Sequence, residues 1–298
     1  MVESNSCASA MVFRAAAGRA KLPNMTTLSL KRLCFWLSIG VCVALAGAPA
    51  LAQTPVDLEL VLAVDVSLSM DIDEQRLQRE GYVAAFRDPE VHKAIASGGH
   101  GRIAVTYMEW AGPPTQHVVM PWTVIASAQD AMAFADGLQV MPISRARMTS
   151  ISTALQFSGR LFETSNVRGV RKVIDVSGDG PNNAGAPVVP VRDELVAKGI
   201  VINGLPVMVK LPQGFFDLAD LDRYYADCVI GGAGAFMLPI KERSEFLSAT
   251  RSKLLLEIAG HEPPARIIRA QMQAPEATSD CLVGEQQWRR YMDGRFPN

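Results

Sequence analysis

Histidine and cysteine are scarce in this 298-residue sequence, which holds four of the first (His92, His100, His117, His261) and five of the second. The histidines are scattered, with no i, i+4 pair and no cysteine nearby, which argues against a zinc site. Basic residues are not in excess: 29 Lys and Arg stand against 30 Asp and Glu, so nothing signals the basic face that nucleic acid needs. There is no Walker A loop, and "VSGDG" around Ser177 lacks the G-x-S-x-G elbow of a serine hydrolase. No internal repeat is visible, and no apolar run reaches the roughly 20 residues that span a bilayer.

What is present is the balance of a soluble globular protein, 49% apolar and 20% charged. The segment "LKRLCFWLSIGVCVALAGAPALAQ" has a basic start at Lys31 and Arg32, an apolar stretch from Leu33 to Ala46 and a small-residue end at Ala50-Leu51-Ala52. It reads as a cleavable secretory signal, with cleavage after Ala52, and Met25 offers an alternative start. Residues 1–52 are therefore expected to be an N-terminal extension and signal peptide, 53–260 one domain and 261–298 a tail packed on it. Losing five basic residues and one acid with the presequence leaves 24 basic against 29 acidic, about −5. The expected location is periplasmic or secreted, with no membrane span after cleavage. In an oxidising compartment the two remaining cysteines, Cys228 and Cys281, are expected to pair and to tie the tail to the fold.

Beyond Gln53 the hydrophobic period alternates between strand-like and helix-like, which predicts an α/β fold. Strands are expected at 58–66, 101–112, 116–125, 171–178, 200–207 and 228–239. Helices are expected after Asp71 and at about 127–138, 151–163, 188–198, 217–226 and 242–259. "LELVLAVDV" is apolar on both faces, as a central parallel strand should be. A Gly-Pro-Pro turn makes 116–125 antiparallel to its predecessor, and Pro121 suits an edge. The expectation is a doubly wound, mostly parallel six-stranded sheet with one antiparallel edge strand.

Ligands of such sheets bind beyond the carboxyl ends of the strands. "VLAVDVSLSM" places Asp65, Ser67 and Ser69 at that edge, Thr149 lies in a loop before a helix, and Asp179 follows the fourth strand. Oxygen donors without histidine or thiol suit a hard cation, Mg²⁺ first and Mn²⁺ or Ca²⁺ next. With only two carboxylates the shell stays incomplete, and a partner's carboxylate would complete it. Asp73, Glu109, Trp110, Asn182 and Asn183 are candidate rim residues. Asp71 and Asp73 also suit a helix N-terminus, and Asn182 and Asn183 also suit a plain turn.

The D-x-S-x-S stretch, the distant Thr and the Asp-Gly after the fourth strand resemble the von Willebrand factor A domain, whose metal-ion-dependent adhesion site (MIDAS) uses these elements in this order. More narrowly, "SGDGPNN", "INGLPV" and "CVIGGAGAF" resemble DUF1194, an exported bacterial group of such proteins. Two places depart from the pattern: Arg147 and Met148 precede Thr149 where a Gly pair is usual, and Ser-Gly precedes Asp179. The resemblance implies that Ser67 and Ser69 bind metal directly, that Thr149 does so in the ligand-occupied form, and that Asp65 and Asp179 act mostly through water. The function it implies is a non-enzymatic, Mg²⁺-dependent module recognising a carboxylate on a partner protein. A metal-dependent phosphohydrolase would need an acid at position 67, which is Ser. A small-ligand receptor using the same sheet edge is the further alternative.

Overall fold

Leu58, Leu60, Leu62 and Val64 pack into one half of the core while Val61 and Ala63 pack into the other, so the strand that carries them is buried on both faces. A computed structural model of the chain describes residues 53–210, 212, 214–260, 268–269 and 279–294. The expected presequence, 1–52, lies outside the described residues, as does most of the tail's 261–278 stretch. The strands are β1 (Thr54–Asp65), β2 (Ile103–Trp110), β3 (Gln116–Ile125), β4 (Val167–Gly178), β5 (Ile200–Pro206), β6 (Phe236–Met237) and β7 (Ile268–Arg269).

They form one sheet in the order β3-β2-β1-β4-β5-β6-β7. β1 runs parallel to both β2 and β4, and the parallel set continues through β5 to β6. β3 is the antiparallel edge expected from the turn, with Pro121 at the bulge in its pairing with β2. The expected six strands are thus present, and the two-residue β7 adds a second antiparallel pairing beside β6.

Helices α1 (Ile72–Arg87), α2 (Pro89–Ala96), α3 (Ala128–Val140) and α7 (Phe246–Ala259) supply the core on one face. Helices α4 (Ile151–Glu163), α5 (Val188–Ala197) and the short α6 (Leu221–Tyr224) supply it on the other. Connections leave β1 toward β2 and leave β4 toward β5, so the switch point lies above the carboxyl ends of β1 and β4.

Two expectations need correction. The strand expected at 228–239 shrinks to Phe236–Met237, because Gly232 and Gly234 take φ of 98° and 74°, left-handed angles that break a ladder. The helix expected at 217–226 is instead α6 continued by a π-turn over Tyr225–Val229, which delivers Cys228 to its disulfide with Cys281 at a Cα separation of 5.5 Å. That bond holds α8 (Val283–Met292).

The inward side of α1 is unusually polar. Arg79 pairs with Glu109 of β2 and donates to the Leu138 and Met141 carbonyls at 3.0 and 3.1 Å. Farther along, Tyr82 donates to Asp175 of β4 at 3.2 Å, and Asp175 faces Lys253 of α7 at 2.5 Å. Lys253 also pairs with Glu257, which accepts from Asn203 of β5 at 3.1 Å. Asp175, Lys253, Glu257 and Asn203 are all buried.

The acids after Ser69 serve α1. Asp71 accepts from the Glu74 amide at 2.8 Å while Glu74 accepts from the Asp71 amide at 2.9 Å, a reciprocal capping box. Asp71→Ala is expected to lower stability by about 1 kcal/mol, read as a lower denaturant midpoint at unchanged slope. An unchanged midpoint would deny the cap its role.

Candidate metal site

Where β1 runs out of apolar neighbours it presents Asp65, fully buried, whose Oδ1 accepts from the Ser67 amide at 2.7 Å. This tight turn fixes the carboxylate at the strand tip. Its other oxygen, Oδ2, is buried with no hydrogen-bond partner. The Ser67 and Ser69 hydroxyls lie 2.8 Å apart, and Ser69 donates to Asp179 Oδ1 at 2.6 Å. Three of the five predicted ligands therefore form one chain of oxygens over the switch point, and Asp65 is tied to it through the Ser67 amide.

Thr149, the fifth, belongs to the segment before α4. That segment lies along the exit of β1, with Ala146 donating to the Val66 carbonyl at 3.1 Å. Thr149 then pairs with Asn183, its amide donating to Asn183 Oδ1 at 2.9 Å and its carbonyl accepting from the Asn183 amide at 2.8 Å. A Cβ placed on Gly180 would sit 4.0 Å from the Thr149 hydroxyl, so that hydroxyl faces the loop carrying Asp179. Met148 has φ of 71°. The left-handed angle that a glycine takes freely is imposed here on methionine, at a cost of about 1–2 kcal/mol.

Loss of water, followed by the charge of Asp179, pushes the Asp65 carboxyl well above the ordinary carboxylate range. Asp179 rises to about 6, again chiefly through loss of water, with the Ser69 bond and Lys210 opposing. Two acids that resist ionising side by side, one with an oxygen left over, fit a divalent cation, which would keep both charged. The donors are hard oxygens throughout, suited to Mg²⁺, Mn²⁺ or Ca²⁺. Among the described residues, no group of three or more His, Cys, Asp or Glu side chains is gathered in metal-binding geometry.

The rim differs from expectation. Trp110 is fully buried in the core facing α4, and Glu109 is fully buried against Arg79, also accepting from the Ser144 amide at 3.0 Å. Neither offers a surface to a ligand, because β2 is buried along its whole length. Asp73 is exposed and pairs with Arg76 at 3.1 Å. Asn182 is buried as a junction between loops, and Asn183 is bonded to Thr149.

Two neighbouring side chains, Tyr225 and Lys210, carry no signal in the sequence. The Tyr225 hydroxyl is buried without a partner, and a Cβ on Gly178 would meet it at 3.0 Å and Asp65 Oδ2 at 2.8 Å. Lys210 donates to the Ser69 carbonyl at 2.6 Å and reaches Glu74 at 2.5 Å. A cavity of about 390 Å³ opens beside the cluster, lined by Ser69, Asp179, Val207, Met208, Lys210 and Leu218 among others.

The family model described as "protein of unknown function (DUF1194)" matches residues 55–262. Proximal thread matrix protein 1 from the mussel byssus, solved with a zinc-occupied MIDAS motif, is similar at 18% identity and a TM-score of 0.51, covering 70% of this chain and 49% of its own. The pilus adhesin SpaC from Lactobacillus rhamnosus GG is similar at 11% identity and a TM-score of 0.51, covering 68% of this chain and 31% of its own. A von Willebrand factor type A structure from Catenulispora acidiphila aligns at 14% identity and a TM-score of 0.46, covering 68% of this chain and 43% of its own. The chain thus spans about half the length of the byssus protein and a third of the adhesin. No curated protein matches it.

Proposed function

This chain belongs to the DUF1194 family and has a von Willebrand factor A-like fold, and from that premise we propose that it is an exported, non-enzymatic module that binds a partner protein through a divalent cation. In this reading Asp65, Ser67, Ser69, Thr149 and Asp179 hold Mg²⁺. Ser67, Ser69 and Thr149 supply hydroxyl oxygens, while Asp65 and Asp179 supply charge. When bound, the cation supplies a positive point with room for a carboxylate of the partner.

The observation that carries the reading is the partnerless, buried Asp65 Oδ2 beside the Ser67–Ser69–Asp179 oxygen chain. The rim then selects: Lys210, held against Glu74, adds positive charge beside the cavity into which a partner's acid and its neighbours would reach. The same geometry speaks against Asp65 as a phosphohydrolase nucleophile. It is fully buried and tied to the Ser67 amide, and residue 67 offers a hydroxyl where an acid would be needed.

The proposed organisation keeps 1–52 as a cleaved signal, 53–260 as the domain and 261–298 as the tail. A periplasmic or secreted location agrees with the Cys228–Cys281 disulfide, a bond that persists in oxidising compartments. Among the described residues no helix is long and apolar enough to cross a membrane.

Calorimetric titration with Mg²⁺ and with Mn²⁺ tests the site. The wild-type protein is expected to show one saturable site and an Asp65→Ala, Ser67→Ala variant to lose at least about a hundredfold in affinity, beyond what outer-shell changes usually cost. Partner capture is expected to vanish in EDTA and return with Mg²⁺. Equal titrations for the two proteins would remove these residues from the site.

A further inference from the structure

Asn182 joins three helices to its own loop. Its side-chain oxygen accepts from the Ser152 amide in the first turn of α4 at 3.0 Å, and its own amide donates to the Tyr224 hydroxyl of α6 at 3.1 Å. Its side-chain nitrogen donates to the Ala186 carbonyl at 3.1 Å and to Glu285 Oε1 of α8 at 2.7 Å. The next residue, Asn183, holds Thr149 through both of its backbone polar groups. The loop that presents Asp179 and the segment that presents Thr149 therefore meet at Asn182-Asn183, and α8 closes the outer side.

Helix α8 comes so close that a Cβ on Gly284 would lie 2.2 Å from the Asn182 carbonyl oxygen. Yet Gly284 is its only buried residue. A 10-residue helix that buries so little is marginal in water, since isolated helices need about 12–15 residues to persist. Besides its Asn182 contacts it is held by Trp288 and Tyr291, whose rings lie 5.9 and 5.3 Å from that of Phe216, and by the Cys228–Cys281 bond at its foot, beside which the Ser279 amide donates to Asp227 at 3.0 Å. The tether makes docking of α8 an intramolecular event. Residues 279–294 also lie beyond the family match, which ends at 262.

We propose that α8 is a disulfide-held brace of the metal site, in which Glu285 acts through Asn182 as a positioning residue for Thr149 and Asp179, so that opening the Cys228–Cys281 bond weakens cation binding. This inference rests on the metal reading above. Opening by an external dithiol is balanced: the dithiol gives two electrons and two protons, becomes a disulfide itself, and leaves Cys228 and Cys281 as thiols. Glu285 touches no proposed ligand, so its effect is carried only by the order of the Asn182-Asn183 turn.

The test uses the oxidised full chain with Mn²⁺ alone as probe. Glu285→Ala and Cys281→Ser are each expected to weaken Mn²⁺ binding by about tenfold, and Glu285→Gln, which keeps an acceptor oxygen for Asn182, to restore it. Without metal, hydrogen exchange is expected to quicken at the Ser152 and Asn183 amides in the two weakened variants and to stay slow in the central strands. No binding by the wild-type protein would overturn the metal reading itself. Binding by the wild type with unchanged affinity in Glu285→Ala and Cys281→Ser would overturn the brace alone, as would exchange that quickens across the whole sheet.

Discussion

An Asp65→Asn protein is expected to be more stable than wild type in EDTA and less stable than wild type in saturating Mg²⁺. The first half follows from burial. Without metal, wild-type Asp65 must either hold a charge in the dry end of the sheet, one oxygen without a partner and Asp179 close by, or take up a proton at a cost in free energy. Asparagine retains an oxygen for the Ser67 amide and removes the charge. The gain is about 1–2 kcal/mol, the scale of roughly one pKa unit of differential charge burial.

The second half follows from linkage. Cation at a hundred times its dissociation constant stabilises a protein that binds it only when folded by about 2.7 kcal/mol, and the variant receives none of this. Thermal unfolding of both proteins with EDTA and with Mg²⁺ reads both effects, and the two stability orders should cross. Parallel behaviour of the two proteins would show that Asp65 has no part in metal binding.

A larger loss is expected from Lys253→Met. Lys253 is the cation between two buried acids, Asp175 and Glu257. Removing one member of a buried ionic group strands the others and costs about 3–5 kcal/mol. The wild type carries a related pH dependence. Burial, then the charge of Asp175, raises the Glu257 carboxyl from 4.5 to about 7, with Lys253 and Asn203 opposing.

A raised acid binds its proton more tightly in the folded chain. The stability it contributes is complete below about pH 4.5 and is lost as pH rises through about 7. Denaturant titrations at steps across that window should therefore show wild-type stability falling with pH. The Lys253→Met penalty should be greatest at the alkaline end, where Glu257 is charged. A penalty that shrinks as pH rises would contradict this account.

Much of the sheet was legible because its signals are local. β1 is apolar at successive positions since both of its faces are covered, and β3 follows a Gly-Pro-Pro turn whose geometry leaves little choice. The metal cluster was legible for a similar reason: Asp65, Ser67 and Ser69 lie within five residues of chain, and Asp179 follows a recognisable strand.

What escaped depends on partners distant in sequence. Glu109 looks like a rim acid until Arg79 of α1 is seen to neutralise it inside the core. Trp110 shares the strand edge with Glu109 but is covered by the face that α4 packs. Asp175, inside "VIDVSG", drew no notice in the sequence, and only the fold joins it to Lys253 and Glu257. The glycines of "CVIGGAGAF" looked compatible with a strand until their positive φ angles appeared. Helix α2 begins with a signal that can be read, Asp88 as cap followed by Pro89, but it is short enough to merge with α1 in a search by periodicity.

Pro121 has a consequence beyond the site. β3 borders the sheet on one side, and a second copy of the chain sliding alongside would seek a ladder of amide donors there. At Pro121 the donor is missing and the bulge turns the strand out of line. A neighbouring copy therefore meets an interrupted ladder along that border, one of the ways natural edges discourage strand addition.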